Sequence, residues 1–446
     1  MKKNILSTIL LTFALFTTAF AQEPDKAKLE QFFNVLNEKN KAMGSVAVTK
    51  DGNVLYTRAV GFSRINGNER KESSVQTRYR IGSITKMFTA ALVFQLVEEG
   101  KLKLTDTLDK FYPQIPNAQK ITIEQILAHR SGIHSFTGDA DFGSWRVSPK
   151  TQDEMIAVIA KSKPDFAPGE KMSYSNAGYV ILGYIVEKVG KKPYQIALKE
   201  RITSKIGLKD TYLGAGKTKP NEKESFSYSY MGDWKMETET DLSIPGGAGA
   251  IISTPADLTK FIHALFDLKL VKAESLNKMK TDKLGMFKYP LGDQILYGHT
   301  GGIDGFNSML VYQPEEKLAV AYTSNGMIYP ADDIVLGAIA IYKNRPFTIP
   351  TFETVAVSAE ELEKFVGVYA TEKFPLKITV TRDASSLFAQ ATGQSAFPLE
   401  ATAKDKFKFD KAGIALEFDA AKNQMTLKQG GREIVFTKEM AKEAVK

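Results

Sequence analysis

The chain has 446 residues, 43% of them hydrophobic and 25% charged, which is ordinary for a soluble globular protein and ample for a large core. Its length exceeds the usual single domain, so a large domain with a smaller companion is expected. There is no cysteine, which excludes disulfides and lipoprotein attachment, and the basic residues behind the +8 formal charge are dispersed among acids. That dispersion reads as a solvated surface and argues against a nucleic-acid partner.

The first residues carry a charged start (Lys2, Lys3), an apolar run from Ile5 to Phe16 and the small-x-small triplet Ala19-Phe20-Ala21. This predicts a secretory signal peptide over 1–21, cut after Ala21. Without Lys2 and Lys3 the mature chain has 57 − 51 = +6 charges. An exported protein, periplasmic or secreted, is expected, with no stable membrane span after cleavage.

Leu29, Phe32, Phe33 and Leu36 have helical spacing within 25–39. Two alternating runs flank Lys50-Asp-Gly-Asn53, a hairpin signal. Residues 80–100 then form a helical stretch, apolar almost throughout, that contains Ser83-Ile84-Thr85-Lys86. Positions i and i+3 share a helical face, so the Lys86 amine can approach the Ser83 hydroxyl. A lysine buried there loses basicity and becomes able to accept a proton. The bland alternative makes Ser83 an N-cap and Lys86 a solvated first-turn side chain.

After a Pro- and Asp-punctuated excursion, a short helix is predicted from Ile121, capped by Thr122 and ended by Gly132. A mobile loop carrying Trp145 is expected over 136–149, then a helix over 151–161 and a Pro-Gly turn at 168–169. Tyr174-Ser175-Asn176 precedes another apolar helix, and a further helix runs from Pro193 to Ile206. Residues 214–240 read as a loop or a pair of edge strands. The cluster Gly246-Gly-Ala-Gly249 lacks the lysine and spacing of a phosphate loop. His299-Thr300-Gly301-Gly302 leads into two apolar runs, 308–312 and 318–323, expected to pair as a hairpin before a closing helix over 334–342.

The expected fold class is α+β: an antiparallel sheet flanked by helices, with a helical insert, over residues 22–345. A linker is predicted over 346–359. Eight short alternating runs over 360–446 indicate a small all-β meander or barrel.

Ser83-x-x-Lys86, Tyr174-x-Asn176 and His299-Thr300-Gly301 follow one another in the order found in the serine β-lactamase-like family of penicillin-recognising enzymes, which the chain resembles over about residues 30–345. Leu127-Ala-His-Arg-Ser-Gly132, Pro168-Gly169 and Gly246-Gly-Ala-Gly249 with Ser253-Thr-Pro-Ala-Asp257 support the likeness. The resemblance implies that Ser83 is an acylated nucleophile and that Lys86 and Tyr174 share the proton transfers. Asn176, His299, Thr300, Gly301 and Gly302 would bind substrate, with the N–H groups of Ser83 and Gly302 as oxyanion hole. Nearby cations, Lys86 and His299, would favour a Tyr174 phenolate or a shared proton.

His299 stands where class C β-lactamases have lysine. His-Thr-Gly with Tyr-Ser-Asn resembles D-Ala-D-Ala carboxypeptidases, D-aminopeptidases and esterases of that family, with a titrating group in place of a fixed charge. The expected substrate is a small molecule or peptide ending in a D-residue, such as a peptidoglycan stem peptide. Alternatives are an esterase, a weak β-lactamase and, outside catalysis, an envelope ligand-binding sensor. No cofactor and no metal are expected, since no two histidines have metal-ligand spacing. A Ser-His-Asp triad through His299 or His129 competes, without a Gly-x-Ser-x-Gly elbow. His129, His134 and His263 read as structural residues, and Trp145 and Trp234 as packing or cleft-lining.

Overall fold

The computed structural model describes residues 25–218, 223–383 and 386–439; the signal-peptide reading lies outside them. In chain order the elements that place the site are α1 (Lys26–Glu38), β1 (Ala42–Lys50), β2 (Asn53–Val60), α2 (Thr85–Glu98) and α3 (Asn176–Gly190). They continue with α4 (Pro255–Phe266), β3 (Phe287–Leu291), β4 (Gln294–Ile303), β5 (Phe306–Gln313), β6 (Leu318–Met327) and α5 (Ala331–Tyr342). The six strands form one antiparallel sheet in the order β3-β4-β5-β6-β1-β2. The chain's two halves meet where β1 pairs with β6, Val46 opposite Tyr322.

Both faces of this sheet are covered, which explains why its central strands read as continuous apolar runs. Leu318, Val320 and Tyr322 pack with Leu29, Phe32 and Phe33 of α1 and with Ile334 and Ala338 of α5. The alternate residues Ala319 and Ala321 belong to the other core, with Phe261 and Ile262 of α4 and the buried body of α2. Alanines on that face leave room for a helix to lie close; Phe261 in turn stacks on Phe88 of α2, ring centroids 3.7 Å apart. The β1–β2 turn falls on the predicted hairpin signal, and Asp51 and Gly52 both have positive φ, 50° and 78°. Such a two-residue turn matches the strands' twist, and Asp-Gly is suited to it.

The helical insert departs from expectation in several places. The helix after Thr122 spans only Ile123–Leu127, held by a Thr122–Gln125 capping box. The chain then turns at His129, φ 55°, before Gly132. The helix predicted over 193–206 widens into a π-helical turn at Lys199–Thr203. Residues 136–149, expected as a loop, contain short helical turns at Phe136–Gly138 and Phe142–Trp145. Phe136, Phe142 and Trp145 gather there as an aromatic cluster, so apolar contacts order what the polar composition left unread. Within 214–240, Tyr228–Tyr230 pairs with Trp234–Met236.

The C-terminal runs become β7 (Gly367–Thr371), β8 (Phe374–Asp383), β9 (Ser386–Ala391), β10 (Phe397–Ala401), β11 (Lys406–Phe409), β12 (Ile414–Asp419), β13 (Gln424–Gln429) and β14 (Arg432–Lys438), closed into a barrel. Val380, Leu387, Phe407, Phe418, Met425 and Phe436 form its packed interior. The segment before it is not a free spacer: Phe347 meets Phe32 edge-on, and Phe352 is buried against Tyr329. Buried Lys41 at the edge of β1 pairs with Glu400 of β10, and the Val355 N–H donates to Ala401 O at 3.0 Å.

Candidate active site

Ser83 lies in a single 3₁₀ turn, Gly82–Ile84, that feeds directly into α2. No side chain caps α2, so the N-cap reading of Ser83 does not hold. Gly82 has φ 49°, and a Cβ on it would stand 2.7 Å from the Gly302 nitrogen. Only glycine lets this turn sit against β4 in that conformation. Gly301 is equally confined, because a Cβ there would meet Ile81 O at 2.0 Å. The strand edge and the Ser83 turn are thus in backbone contact.

α2 is apolar all round and buried from Thr85 to Leu96, which takes Lys86 out of water with it. The Lys86 amine lies 2.9 Å from Ser83 Oγ, 2.8 Å from Asn176 Oδ1 and 2.8 Å from Ala248 O. Burial without a carboxylate partner lowers its pKa well below the usual 10.5. A neutral amine has two N–H donors and one lone pair. The ammonium can donate to Ser83 Oγ as well as to both carbonyls; once the amine is neutral, the two carbonyls can take its donors and leave the lone pair facing the Ser83 hydroxyl.

Asn176 opens α3 behind the N-cap Ser175, whose hydroxyl accepts from Gly178 N–H. Tyr174 precedes that cap, its ring 4.8 Å from the Lys86 amine. Although 37% of Tyr174 is exposed, burial of its hydroxyl end raises its pKa above the usual 10, opposed by interaction with the Ser83 hydroxyl. This burial opposes the phenolate or shared proton that nearby cations were expected to favour, and favours the protonated phenol.

Burial acts on His299 too. It is 3% exposed, its ring 4.9 Å from Phe287 and 6.2 Å from Tyr174, and its Nδ1–H donates to Thr300 O. Burial first, then the positive charge Lys86 carries when protonated, lowers its pKa from 6.5 to about 3, which favours the neutral imidazole over the charged form. His129 is held neutral in the same way, at about 3, by burial, Lys86 and His299. Its Nδ1 accepts the Ser175 N–H at 3.1 Å and its ring stacks on Tyr174 at 4.3 Å, so it fixes the tyrosine from behind. Among the described residues neither imidazole meets a carboxylate, which removes the Ser-His-Asp alternative. His134 bridges Asp139 and Asp165, and His263 bonds Thr49. Trp234 packs with Met43 and Tyr228 away from the cavity walls.

Ser83, Asn176 and Gly302 open on a cavity of about 360 Å³ walled by Phe136, Phe142, Ile244, Pro245 and Ile303. Thr300 and Gly301 continue the same strand edge outside its lining. The sequence reading missed the polar end. There Asp304 Oδ1 takes Arg146 Nη1 at 2.6 Å and Thr240 Oγ1 at 2.7 Å, while Oδ2 takes the Thr240 N–H at 3.0 Å. Behind it Arg80, 2% exposed, donates to Glu239 Oε2 and Thr240 O.

The Beta-lactamase family profile matches residues 29–341. The chain belongs to the Beta-lactamase family. It is a serine hydrolase of the β-lactamase and penicillin-binding-protein kind. A penicillin-binding protein of Bacillus subtilis is 24% identical, over 91% of this chain and 97% of its own length. A D-stereospecific amidohydrolase from Streptomyces sp. is 30% identical, with TM-score 0.60, over 68% of this chain and 95% of that one. An octameric penicillin-binding protein homologue from Pyrococcus abyssi is 26% identical, with TM-score 0.63, over 93% of this chain and all of that one. The family profile stops just short of the barrel, whereas the Pyrococcus and Bacillus relatives align across it.

Proposed function

We propose that this Beta-lactamase-family hydrolase works through an acyl-enzyme on Ser83 and acts on peptides or amides of D-amino acids. The observation that carries the mechanism is that Lys86 Nζ lies within hydrogen-bond distance of Ser83 Oγ and of two carbonyl oxygens, which can hold both N–H groups of the neutral amine and leave its lone pair for Ser83. Lys86 takes the Ser83 proton as the oxygen attacks the carbonyl. The N–H groups of Ser83 and Gly302 receive the oxyanion, and protonated Tyr174 supplies the proton to the leaving amine. Tyr174 regains a proton from the Lys86 ammonium beside it, and water then releases the acyl group by the reverse transfers.

The likeness to a D-stereospecific amidohydrolase supports a D-configured substrate, and the D-Ala-D-Ala end of a peptidoglycan stem peptide is the form proposed. Neutral His299 removes the fixed charge that the lysine of class C β-lactamases carries, which favours peptide over β-lactam turnover. The amino-terminal pattern supports export to the periplasm or medium. The test compares release of D-Ala from a D-Ala-D-Ala peptide and its L,L isomer with hydrolysis of a nitrophenyl ester and a chromogenic cephalosporin. D-Ala release well above the L,L rate is expected. Turnover of the ester alone would overturn the substrate assignment.

A further inference from the structure

The polar end of the cavity is not used by the mechanism above. Its walls carry two charged side chains, Arg146 and Asp304. The Asp304 side chain is 2% exposed, and its two oxygens are occupied by Arg146, Thr240 and, at 3.5 Å, Arg80. It has no face left for a ligand. Arg146 differs: its side chain is 21% exposed, and its bonds to Asp304 and Thr240 both leave from Nη1. Among the described residues Nε and Nη2 bond to nothing, so the guanidinium is anchored at one corner and offers its other donors to the cavity. An anchored guanidinium has already lost much of its side-chain freedom and matches a planar carboxylate.

Direction along the cavity follows from β4. Gly302 lies against the Ser83 turn, and Tyr174, the donor to the leaving group, neighbours His299 upstream on the strand. The retained acyl part therefore extends the other way, past Ile303 toward Asp304 and Arg146. Two residues of strand correspond to about 6–7 Å. We propose that Arg146 is a specificity-determining residue that binds an anionic group, a carboxylate, on the acyl part of the substrate about 6–7 Å from the attacked carbonyl. The assignment of sides rests on the acyl-enzyme reading.

The test measures binding without turnover. Ser83→Ala protein is titrated calorimetrically with N-acetyl-, N-succinyl- and N-succinamoyl-D-Ala-D-Ala, the last matching the succinyl group in shape without its charge. The succinyl peptide is expected to bind at least about 10-fold tighter than both others, in line with one charge-assisted bidentate contact. In Ser83→Ala/Arg146→Gln the ratio is expected to fall to about one, and Arg146→Lys should keep part of it. Equal binding of the three peptides, a preference that survives Arg146→Gln, or no binding at all would overturn the proposal. The ligand series decides the matter even if the Arg146 variants fail to fold. Because the readout is affinity, it stands apart from whether Ser83 is acylated.

Discussion

Lys86 is the residue on which the proposed chemistry turns, and its proposed role is electrostatic before it is catalytic. Burial and, among the described residues, the lack of a carboxylate partner shift this amine toward the neutral base. The activity profile follows in sign: kcat/KM rises as pH climbs through the lowered Lys86 pKa, then stays level until Tyr174 ionises above its raised one. His129 and His299, both brought down to about 3, contribute no limb near neutrality. Steady-state profiles of His299→Gln are thus expected to keep the acid limb where the native enzyme has it, and its disappearance would show that deprotonation of His299, not of Lys86, sets it. Lys86→Met should lower kcat/KM by roughly 100- to 10,000-fold, the usual worth of a general base.

At the scale of elements, the site is a backbone contact between the turn before α2 and the edge of β4. Gly82→Ala tests it, because the added methyl would meet Gly302 and would have to adopt φ 49°. The conformational part alone costs roughly 1–2 kcal/mol. A variant that folds, with kcat/KM reduced at least 10-fold and a modest fall in Tm, is expected; unchanged kinetics would separate the contact from catalysis. The elements were legible where one strong local signal decided them. Asp51-Gly52 announced its turn, Thr122 its cap, and the apolar body of α2 its burial. Ser83, Lys86, Tyr174, Asn176 and His299 were legible because short spacings and chain order carry them. Arg146 and Asp304 lie 158 positions apart, and Arg80 and Glu239 159, so no local pattern connects them. The burial that shifts Tyr174 and His299 was illegible for a related reason. Charge can be counted in a sequence, but desolvation depends on what packs around the group.

Across the whole molecule, the barrel is tied to the sheet through Lys41, which is 3% exposed beside a 24% exposed Glu400 and carries Phe352 under its amine at 5.0 Å. Removing the Glu400 carboxylate leaves a buried ammonium with only Asp410 at 4.0 Å as an ion-pair partner, whereas removing the lysine leaves a carboxylate that water still reaches. Glu400→Gln is therefore expected to lower Tm more than Lys41→Met, and the reverse order in calorimetry would show the pair to be incidental to docking. The alternating runs after residue 360 already indicated a β-barrel, but nothing local in them indicated which strand faces the hydrolase. The most direct test of the account is intact-protein and peptide mass spectrometry after incubation with a penicillin and, separately, a fluorophosphonate. The account predicts a single adduct on Ser83, absent in Ser83→Ala and slowed in Lys86→Met. An adduct on another residue, or none with either reagent, would contradict it.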